Sequence, residues 1–507
     1  MLLTKRGYQI NKKLLTTNQL KEIQDDLLVT PKLNPPYDFD NQPINLLHQT
    51  TNNIFIPRYY GINKFGIVKE SFNGKLINIE FKGSLNDKQK IMMDQIMKDF
   101  KTGGIITLPC GYGKTVIGLF IVAKLKMKTI ILVHKETLKD QWIERIKQFV
   151  SGVKIGEIQS NKFIDGDIIV GMIQTVSNRD FNINDIGLLI VDECHHIASR
   201  VFSKCLYKIG ANYTIGLSAT PDRKDGLTSI IHWYLGPQLI KIENRKCLET
   251  MVYQIEYFSN DLLFDVINRY FKGKQTIDTI KMTTNLTLID DRNNTIRDII
   301  IKLLNNEERN ILVLSGRIDH INKLKSIVDD KIKELKLNIE TKKYIGDCSK
   351  EERNDAENNG RVLFASYSIA SEGLDIPRLN TIILTTPQKD VKQSVGRIMR
   401  KIHNKYCNPL IIDFNDQVPP FNNYGKSKFK FYLQSQYHIR TFEVEDNNID
   451  LEIFNQEFII NECDKDDKVK CNEIKIESNN ANKTVNNVNE IVNNVNEIKS
   501  SYGFIEE

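Results

Sequence analysis

Short apolar runs recur along the first half of the chain and alternate with longer stretches of helical periodicity. Runs of this length that are apolar throughout are typical of strands buried on both faces of a sheet. They lie at Gly104–Leu108, Thr129–Val133, Asp167–Met172, Leu188–Val191 and Tyr213–Leu217, with helical stretches such as Val116–Lys126 and Lys135–Phe149 between them. The alternation predicts an α/β domain with a parallel sheet that carries helices on both faces.

The second half of the chain repeats this pattern. A helical stretch and four strand-like runs follow one another at Asn293–Leu304, Asn310–Ser315, Val362–Ser366, Thr381–Thr385 and Leu410–Asp413. They predict a second α/β lobe. The pattern predicts five parts of the chain. They are a small N-terminal accessory domain at residues 1–84, a first lobe at 85–245, a connector at 246–290, a second lobe at 291–420 and a C-terminal extension at 421–507.

The last part of the chain differs in charge from the rest. Residues 441–507 contain sixteen acidic residues against six lysines, so the net charge of +6 divides into −10 for this segment and +16 for residues 1–440. Residues 485–491 are repeated unchanged as residues 492–498, but two asparagine-rich heptads are too few for a coiled coil. We expect a flexible, acidic, low-complexity tail behind a basic body that suits phosphate backbones. The N-terminal domain and this tail are where we expect transcription or replication machinery to bind.

Composition excludes several classes of protein. With 507 residues, of which 40% are hydrophobic and 26% charged, the chain has the composition of two or three globular units. No apolar run approaches the ~18 residues of a membrane span, and the N-terminus lacks the features of a secretory signal. The eight cysteines are scattered singly, so we expect reduced thiols. These observations predict a soluble protein of the cytoplasm, the nucleus or a virion, with no membrane partner.

A glycine-rich segment, Gly111-Tyr112-Gly113-Lys114-Thr115, separates the first apolar run from a helix. Its glycines allow the backbone to curl so that N–H groups face phosphate oxygens at the positive end of the helix. In such a loop Lys114 binds the β- and γ-phosphates and the Thr115 hydroxyl binds Mg²⁺, so ATP and Mg²⁺ are the expected ligands. Leu108 stands where the usual eight-residue form has glycine, which argues against kinases and GTPases.

Two adjacent carboxylates, Asp192 and Glu193, follow the apolar run at residues 188–191. Ligands of open parallel sheets bind at the carboxyl ends of the strands. We expect Asp192 to hold Mg²⁺ and Glu193 to orient and deprotonate an attacking water. An acidic strand end also occurs without catalysis, but its combination with the lysine loop favours a nucleotide-hydrolysing site.

Two arginines in the segment Gln393-Ser394-Val395-Gly396-Arg397-Ile398-Met399-Arg400 lie three residues apart and share one face of a helix. Arginines placed in this way can reach across a cleft to a γ-phosphate. A salt-bridged pair on a helix surface has the same spacing, and the order of the three segments favours the phosphate role for Arg397 and Arg400.

With these three segments, residues of about 85–415 resemble the superfamily 2 helicases with a DExH-type box. The box is Asp192-Glu193-Cys194-His195, and the segment from Gln393 to Arg400 resembles the family's Gln-x-x-Gly-Arg-x-x-Arg. Ser218-Ala219-Thr220 resembles the motif that, in the family, links hydrolysis to nucleic-acid movement. The resemblance implies two tandem RecA-like domains, and a coupling or nucleic-acid role for His195, Ser218, Ala219 and Thr220.

Weaker matches to the same family occur between these segments. Gln89 resembles the glutamine that reads adenine, and Asp375 resembles a residue that contacts the ribose. Four parts of this chain resemble segments that follow the nucleic-acid backbone in the family. They are His134–Leu138 with Gln141-Trp142, Gln174-Thr175, Ser315-Gly316-Arg317 and Gly373-Leu374-Asp375. The candidate contacts in them are Thr137, Gln174, Thr175, Arg317 and Gly373. The form of these segments is nearer to repair and transcription translocases, phage recombination helicases and transcript-release helicases of large DNA viruses than to the DEAD-box RNA group.

These features predict a nucleic-acid-stimulated ATPase that moves along or unwinds nucleic acid in transcription, replication or repair, with DNA favoured and RNA also open. Contacts to phosphate and sugar position a strand without reading its sequence, so no sequence preference is expected. One alternative is an ATP-switched nucleic-acid-binding accessory factor that does not unwind. A small-metabolite kinase is a third possibility, but the second lobe and its arginine pair give it no support.

Overall fold

The structure is a computed structural model of the chain. It describes residues 1–32, 42–109, 111–199, 202–219, 223, 225–242, 250–271, 273–372, 374, 376–398 and 407–454. The heptad repeat and most of the acidic tail lie outside these residues. Across the described ranges, no helix combines the length and the apolar character needed to span a membrane.

The amino-terminal region consists of short strands and two helices. They are β1 (Leu2–Thr4), β2 (Gly7–Asn11), α1 (Thr17–Asp26), β3 (Leu28–Val29), β4 (Ile44–Asn45), β5 (His48–Gln49), β6 (Asn53–Ile56), α2 (Arg58–Phe65) and β7 (Glu80–Phe81). Four strands form an antiparallel sheet in the order β1-β2-β6-β5. Helix α1 begins where Thr16 and Gln19 cap each other's backbone N–H groups.

This region shares one hydrophobic core with the first lobe. Ile10 and Ile130, which belong to the amino-terminal sheet and to the lobe, are both fully buried in that core. The buried Arg58 donates hydrogen bonds of 2.6 Å to the carbonyl oxygen of Ala211 and of 2.9 Å to Glu70. The range predicted as an accessory domain is therefore packed continuously onto the first lobe.

The first lobe is an eight-stranded sheet with helices on both faces. Its elements are α3 (Asp87–Asp99), β8 (Gly103–Thr107), α4 (Lys114–Leu125), β9 (Thr129–Val133), α5 (Glu136–Phe149), β10 (Val150–Ser151), β11 (Ile155–Gln159), β12 (Lys162–Ile164), β13 (Ile168–Met172), α6 (Ile173–Asn178), β14 (Leu188–Asp192), β15 (Tyr213–Ser218), α7 (Thr228–Leu235) and β16 (Gln238–Lys241). The strand order is β12-β11-β13-β9-β14-β15-β8-β16. Apart from β12, which is antiparallel to β11, the pairings are parallel.

The centre of this sheet sets the positions of the site. Strand β15 lies between β8, which leads into the glycine-rich loop, and β14, which ends at Asp192. Strands β8, β9 and β14 are buried at every position, as their continuous apolar runs predict. Gly103 can only be glycine, since a Cβ there would lie 2.1 Å from the Tyr59 hydroxyl oxygen. The carboxyl ends of β8, β15 and β14 thus meet at one edge.

The second lobe is a seven-stranded sheet. Its elements are β17 (Met251–Phe258), β18 (Asn268–Phe271), β19 (Lys274–Ile277), α8 (Thr279–Leu286), α9 (Asp290–Leu303), β20 (Ile311–Ser315), α10 (Ile318–Glu334), β21 (Thr341–Tyr344), α11 (Lys350–Asn359), β22 (Val362–Ser366), α12 (Tyr367–Glu372), β23 (Thr381–Leu384), α13 (Lys392–Val395), β24 (Leu410–Asp416), α14 (Phe421–Gln434) and β25 (His438–Glu445). The order β21-β22-β20-β23-β24-β17-β25 is parallel throughout, while β18 and β19 form a separate hairpin.

Two strands of this sheet come from outside the range predicted for the second lobe. β17 falls in the predicted connector and β25 in the predicted C-terminal extension, and the two pair with each other along eight residues. β17 also pairs with β24. The sheet therefore continues by two strands beyond β24, because the backbone of β24 still offers hydrogen bonds on that side. The predicted fold class, two tandem α/β lobes with parallel sheets, is confirmed.

Candidate functional site

The glycine-rich loop connects the end of β8 to the start of α4. Gly111 and Gly113 both have positive φ, of 79° and 83°. Gly113 is the N-cap of α4, and a Cβ there would also lie 2.5 Å from the side-chain nitrogen of Gln89. As a glycine, Gly113 has no side chain that could cap the first turn of α4. The N–H groups of this turn, at the positive end of the helix dipole, therefore form an anion-binding site at this position.

Lys114 and Glu193 form an ion pair across the edge of the sheet. The Lys114 Nζ lies 2.8 Å from Glu193 Oε1, and the two side chains are 12% and 14% exposed. Lys114 is the first residue of α4 and Glu193 directly follows β14. The structure thus brings together Lys114 and Glu193, which are 79 residues apart in sequence.

The backbone turns sharply at the end of β14. Glu193 has φ 46° and ψ 55°, a left-handed conformation that costs a non-glycine residue about 1–2 kcal/mol. Its N–H donates a hydrogen bond of 3.0 Å to Asp192 Oδ1. This turn directs the Asp192 carboxylate into the lobe and leaves the Glu193 carboxylate beside Lys114.

The two carboxylates differ in their ionisation. Burial raises the pKa of Asp192, and the negative charge of Glu193 raises it further. Burial also opposes ionisation of Glu193, but the charge of Lys114 and its hydrogen bond, with the charge of Arg397, outweigh it and lower its pKa to about 2. Glu193 is therefore ionised at neutral pH.

Asp192 is held by a residue that the sequence motifs did not assign to it. The indole N–H of Trp142 donates a hydrogen bond of 2.8 Å to Asp192 Oδ2, and the Trp142 side chain is 2% exposed. Its motif suggested a contact to the nucleic-acid backbone, but a buried indole cannot make one. The available signal was that Trp142 stands four residues from both Leu138 and Ile146 on the buried face of α5.

Ser218 and His195 connect the phosphate loop to the acidic box. Ser218 ends β15, and its carbonyl oxygen accepts a hydrogen bond of 3.0 Å from the N–H of Leu108. Its hydroxyl lies 3.0 Å from His195 Nδ1 and donates a 3.5 Å hydrogen bond to Glu193. Arg223, which sequence motifs did not point to, donates a 2.6 Å hydrogen bond to the His195 carbonyl oxygen. Ala219 follows Ser218 at this edge, and Thr220 lies outside the described residues.

Histidine 195 is neutral in these surroundings. Burial lowers its pKa, and the nearby positive charges of Lys114 and Arg223 act in the same direction, against the effect of Glu193. A neutral imidazole can accept or donate at Nδ1, so the Ser218–His195 contact is able to change its direction without a change of charge.

Gln89 lies directly against the phosphate loop. It is buried, its side-chain nitrogen donates a 3.4 Å hydrogen bond to the Tyr112 carbonyl oxygen, and its side-chain oxygen accepts from the N–H of Asn86. Thr115 follows Lys114 in the first turn of α4 and is partly exposed. The position of Gln89 beside the loop suits a contact to the base of a nucleotide, which stays a prediction.

The other predicted contacts of the first lobe lie at the same edge. Lys135 and Thr137 stand at the start of α5, directly after β9. Gln174 donates a 2.8 Å hydrogen bond to the carbonyl oxygen of His134, and the Thr175 hydroxyl accepts one of 3.3 Å from a backbone N–H. The two segments thus follow neighbouring parallel strands, β9 and β13.

The second lobe meets this edge through Arg397. The side chain of Arg397 is 8% exposed and donates hydrogen bonds of 2.5 and 3.1 Å to the carbonyl oxygens of Ala370 and Leu374. Its charge also acts on Glu193, and Lys135 donates a 3.3 Å hydrogen bond to the Ser368 carbonyl oxygen across the lobes. Gln393 is half-buried on α13, while Gly373, Asp375 and Arg400 lie outside the described residues.

Arg317 lies at the carboxyl edge of the second sheet, after β20. Its guanidinium donates hydrogen bonds of 3.1 Å to the Thr284 hydroxyl and of 3.0 Å to the Ile280 carbonyl oxygen, both on α8. Another goes to the carbonyl oxygen of Gly316. A guanidinium has five N–H donors, so these contacts leave donors for a phosphate.

The predicted metal ligands are one carboxylate and one hydroxyl. No group of three or more His, Cys, Asp or Glu residues suited to a metal ion occurs in the part of the chain that the structure describes. Mg²⁺ usually takes one or two carboxylates and completes its shell with phosphate oxygens and water. Asp192, each of whose oxygens accepts one hydrogen bond and keeps a further lone pair, fits that role together with Thr115.

Comparison with known proteins agrees with this geometry. The family model described as "Type III restriction enzyme, res subunit" matches residues 82–223, and the one described as "Helicase conserved C-terminal domain" matches residues 291–402. A protein of Acanthamoeba polyphaga mimivirus, named as an ATP-dependent RNA helicase, is 34% identical over 462 residues, which are 88% of this chain and 87% of its own.

Two further relatives are more distant. A protein of Invertebrate iridescent virus 6, named as a helicase, is 28% identical over 381 residues, with 70% of this chain and 82% of its own length covered. A solved fragment of the HsdR subunit of a type I restriction enzyme from Vibrio vulnificus YJ016 has a TM-score of 0.50 at 14% identity, over 72% of this chain and 70% of the fragment. That structure is similar in fold.

Proposed function

Because this chain belongs to the superfamily 2 helicases, we propose that it couples ATP hydrolysis to movement along one nucleic-acid strand and separates the strands of a duplex in doing so. The observation that carries the proposal is the Lys114–Glu193 pair of the first lobe, on which the charge of Arg397 acts from the second lobe. A site assembled from two lobes can link the chemistry of the nucleotide to relative movement of the lobes.

In the proposed mechanism, ATP takes over the contact that Lys114 now makes with Glu193. Lys114 and the N–H groups at the start of α4 bind the phosphates, with the glycines at 111 and 113 allowing the close approach. Thr115 and Asp192 would hold Mg²⁺, and the ion would neutralise phosphate charge. Gln89 contacts the base from its position beside the loop.

Glu193 then acts as the base. Once Lys114 has moved to the phosphates, the strongest influence that lowers the pKa of Glu193 is weakened, so its carboxylate becomes a better acceptor for a proton from water. Arg397 supplies positive charge from the second lobe, and we assign Arg400 and Gln393 to the same task of binding phosphate charge. Hydrolysis is therefore fastest when the lobes are closed.

The nucleic acid is proposed to lie across the carboxyl edges of both sheets. Thr137, Gln174 and Thr175 would contact its backbone from the first lobe and Arg317 from the second. Ser218 and His195, which contact both Glu193 and each other, couple that occupancy to the nucleotide site. The mimivirus relative is named as an RNA helicase, whereas the sequence pattern favours DNA, so both substrates belong in the test.

The test measures ATPase rate with single- and double-stranded DNA and RNA of equal length. We expect nucleic acid to stimulate the rate, and Lys114→Ala and Glu193→Gln to abolish the stimulated rate. For Glu193→Gln, loss of the general base predicts a fall of about 10²–10⁴-fold with ATP binding retained. Equal rates with and without nucleic acid would contradict the motor and favour an ATP-switched accessory factor.

A strand-displacement assay with the same duplexes separates movement from unwinding. A matched control is Lys331→Ala on α10, because the Lys331–Glu334 pair is an exposed surface contact with no place in the site. We expect this variant to unwind and hydrolyse as the parent chain does. Binding of nucleic acid should weaken strongly as salt rises, because the proposed contacts are to phosphates.

A further inference from the structure

Trp142 stands where the nucleotide site and the nucleic-acid-contacting segment meet. It lies on α5, which has Lys135 as its N-cap and Thr137 in its first turn, and its N–H donates to the Asp192 carboxylate. The distance along the helix from Thr137 to Trp142 is only about 7.5 Å. A shift of α5 as a whole would therefore move the indole relative to its carboxylate partner.

Helix α4 leaves room for the Trp142 indole at a glycine. Gly118 lies in the interior of α4, where glycine destabilises a helix by about 1 kcal/mol relative to alanine. A Cβ at Gly118 would lie 3.1 Å from Cη2 of Trp142, which is tighter than an ordinary contact. The glycine thus admits the far end of the indole, while the near end reaches Asp192. The ring is fixed between α4 and β14.

The two hydrogen bonds to Asp192 define the orientation of its carboxylate. Oδ2 accepts from Trp142 and Oδ1 accepts from the N–H of Glu193, and the side chain is buried. A buried carboxylate without such donors would turn or take up a proton. Donors of this kind, one step behind a metal-binding residue, typically change metal affinity or activity by about 10- to 100-fold when they are removed.

We propose that Trp142 is a positioning residue that holds Asp192 in the orientation needed for Mg²⁺, and that α5 thereby connects nucleic-acid contacts to the metal-binding carboxylate. This inference rests on the proposed function for the role of Asp192. Helix α5 then has two tasks. Its first turn contacts the nucleic-acid strand, and Trp142, further along the helix, supports the Asp192 carboxylate.

The first test is the Mg²⁺ dependence of the ATPase in Trp142→Phe, which removes the N–H donor and keeps an apolar ring. We expect the Mg²⁺ concentration for half-maximal rate to rise by about 10-fold or more, with binding of nucleotide in the absence of Mg²⁺ unchanged. The matched control is Trp233→Phe, because Trp233 packs against Tyr60 and has no contact with Asp192 among those described. An unchanged Mg²⁺ requirement in Trp142→Phe would overturn the proposal.

The second test does not depend on turnover or on the folding of Trp142→Phe. The chain has two tryptophans, so Trp233→Phe leaves Trp142 as the sole indole fluorophore. With ADP bound, addition of Mg²⁺ should change the emission of Trp142, and Asp192→Asn should remove that response. Identical emission with Mg²⁺ and with EDTA would overturn the positioning role.

The link through α5 is tested with the same single-tryptophan protein. Addition of poly(dT) or poly(U) without nucleotide should change the emission of Trp142, and Thr137→Ala should reduce the response. An emission that nucleic acid leaves unaltered although it binds would refute the link. If instead the ATPase proves independent of nucleic acid while the Mg²⁺ response persists, the motor function fails and the positioning role stands.

Discussion

The carboxyl edges of the two sheets have the same architecture but use charge in different ways. In the first lobe, Lys114 and Glu193 pair at the surface of the cleft, where each side chain keeps more than a tenth of its area exposed. In the second lobe, Arg292 and Asp416 pair at 2.7 Å with both side chains completely buried. A ligand can replace one partner of the Lys114–Glu193 pair, whereas the Arg292–Asp416 pair is enclosed by the protein.

The contacts around the buried Arg292–Asp416 pair explain why this pair is structural. Arg292 uses two nitrogens for the two oxygens of Asp416, donates to the Thr385 carbonyl oxygen, and lies 5.7 and 5.3 Å from the ring centroids of Tyr257 and Phe414. Each of these contacts belongs to the fold. The comparison teaches that an ion pair at a strand end is a candidate for catalysis when a ligand can replace one partner, and is structural when the pair is enclosed.

The largest expected effect tests the enclosed pair. Arg292→Met leaves the Asp416 carboxylate buried without its partner, which should lower the free energy of unfolding by about 3–5 kcal/mol. Denaturant titration measures it. The double variant Arg292→Met/Asp416→Leu should recover most of the loss, because it leaves no unpaired charge in the interior. A single variant as stable as the parent chain would contradict the comparison.

The corresponding change at the exchangeable pair should act on activity. Lys114→Met removes the charge that binds the phosphates and should lower the ATPase rate by about 10²–10³-fold. Stability should fall by less than in Arg292→Met, because the Glu193 side chain is 14% exposed and can take up water or a proton, whereas Asp416 is fully buried. Rate and denaturant titration on the same preparation give both values. A large loss of stability with a small loss of rate would reverse the roles of the two pairs.

The free energy of unfolding should depend on pH through His320, a buried residue of the second lobe. His320 is buried between Ser315 and Asn293, and burial, with the positive charges of Arg292 and Lys323, lowers its pKa well below the usual value. The unfolded chain takes up a proton near pH 6.5 and the folded chain does not, so stability is complete above that pH and declines as pH falls below it.

His320→Gln removes this proton uptake while it keeps a hydrogen-bonding side chain. The slope of unfolding free energy between pH 6.5 and pH 5 should therefore flatten by up to about 1.4 kcal/mol per pH unit relative to the parent chain. Denaturant titrations at a series of pH values give the slope. An equal slope in both proteins would show that His320 does not contribute.

The smallest expected effect concerns Arg317, a partly exposed cation at the second edge. Arg317→Ala should weaken nucleic-acid binding and reduce the slope of log affinity against log salt by about one, through loss of one phosphate contact. The control is Lys331→Ala, about 20 Å further along α10, which should leave the slope unchanged. An unaltered slope in Arg317→Ala would remove this residue from the proposed path of the strand.

Local patterns predicted much of the fold. The buried strands around the phosphate loop and the acidic box were recognisable because a strand covered on both faces must be apolar along its length. β17 and β25 were not assigned to the second lobe. Met251–Phe258 is mostly buried, but nothing local in such a run states which sheet it joins. Sheet membership depends on pairing between residues far apart in the chain.

The sequence by itself determined the chemistry that is carried by neighbouring residues. The glycines at 111 and 113 allow the left-handed turns of the loop, and Lys114, Thr115, Asp192 and Glu193 have the functional groups that phosphate and Mg²⁺ require. These properties follow from side-chain type and backbone freedom within a few residues, so they could be predicted without coordinates.

Only the tertiary structure decided which partners these groups have. It placed the Trp142 indole on Asp192, 50 positions away, and brought Arg397 close enough to influence Glu193. It also enclosed Arg292 with Asp416 while it left Lys114 with Glu193 at the cleft. The physical reason is that burial and hydrogen-bond geometry arise from packing between distant segments, and these decide whether a charge is structural or available for a ligand.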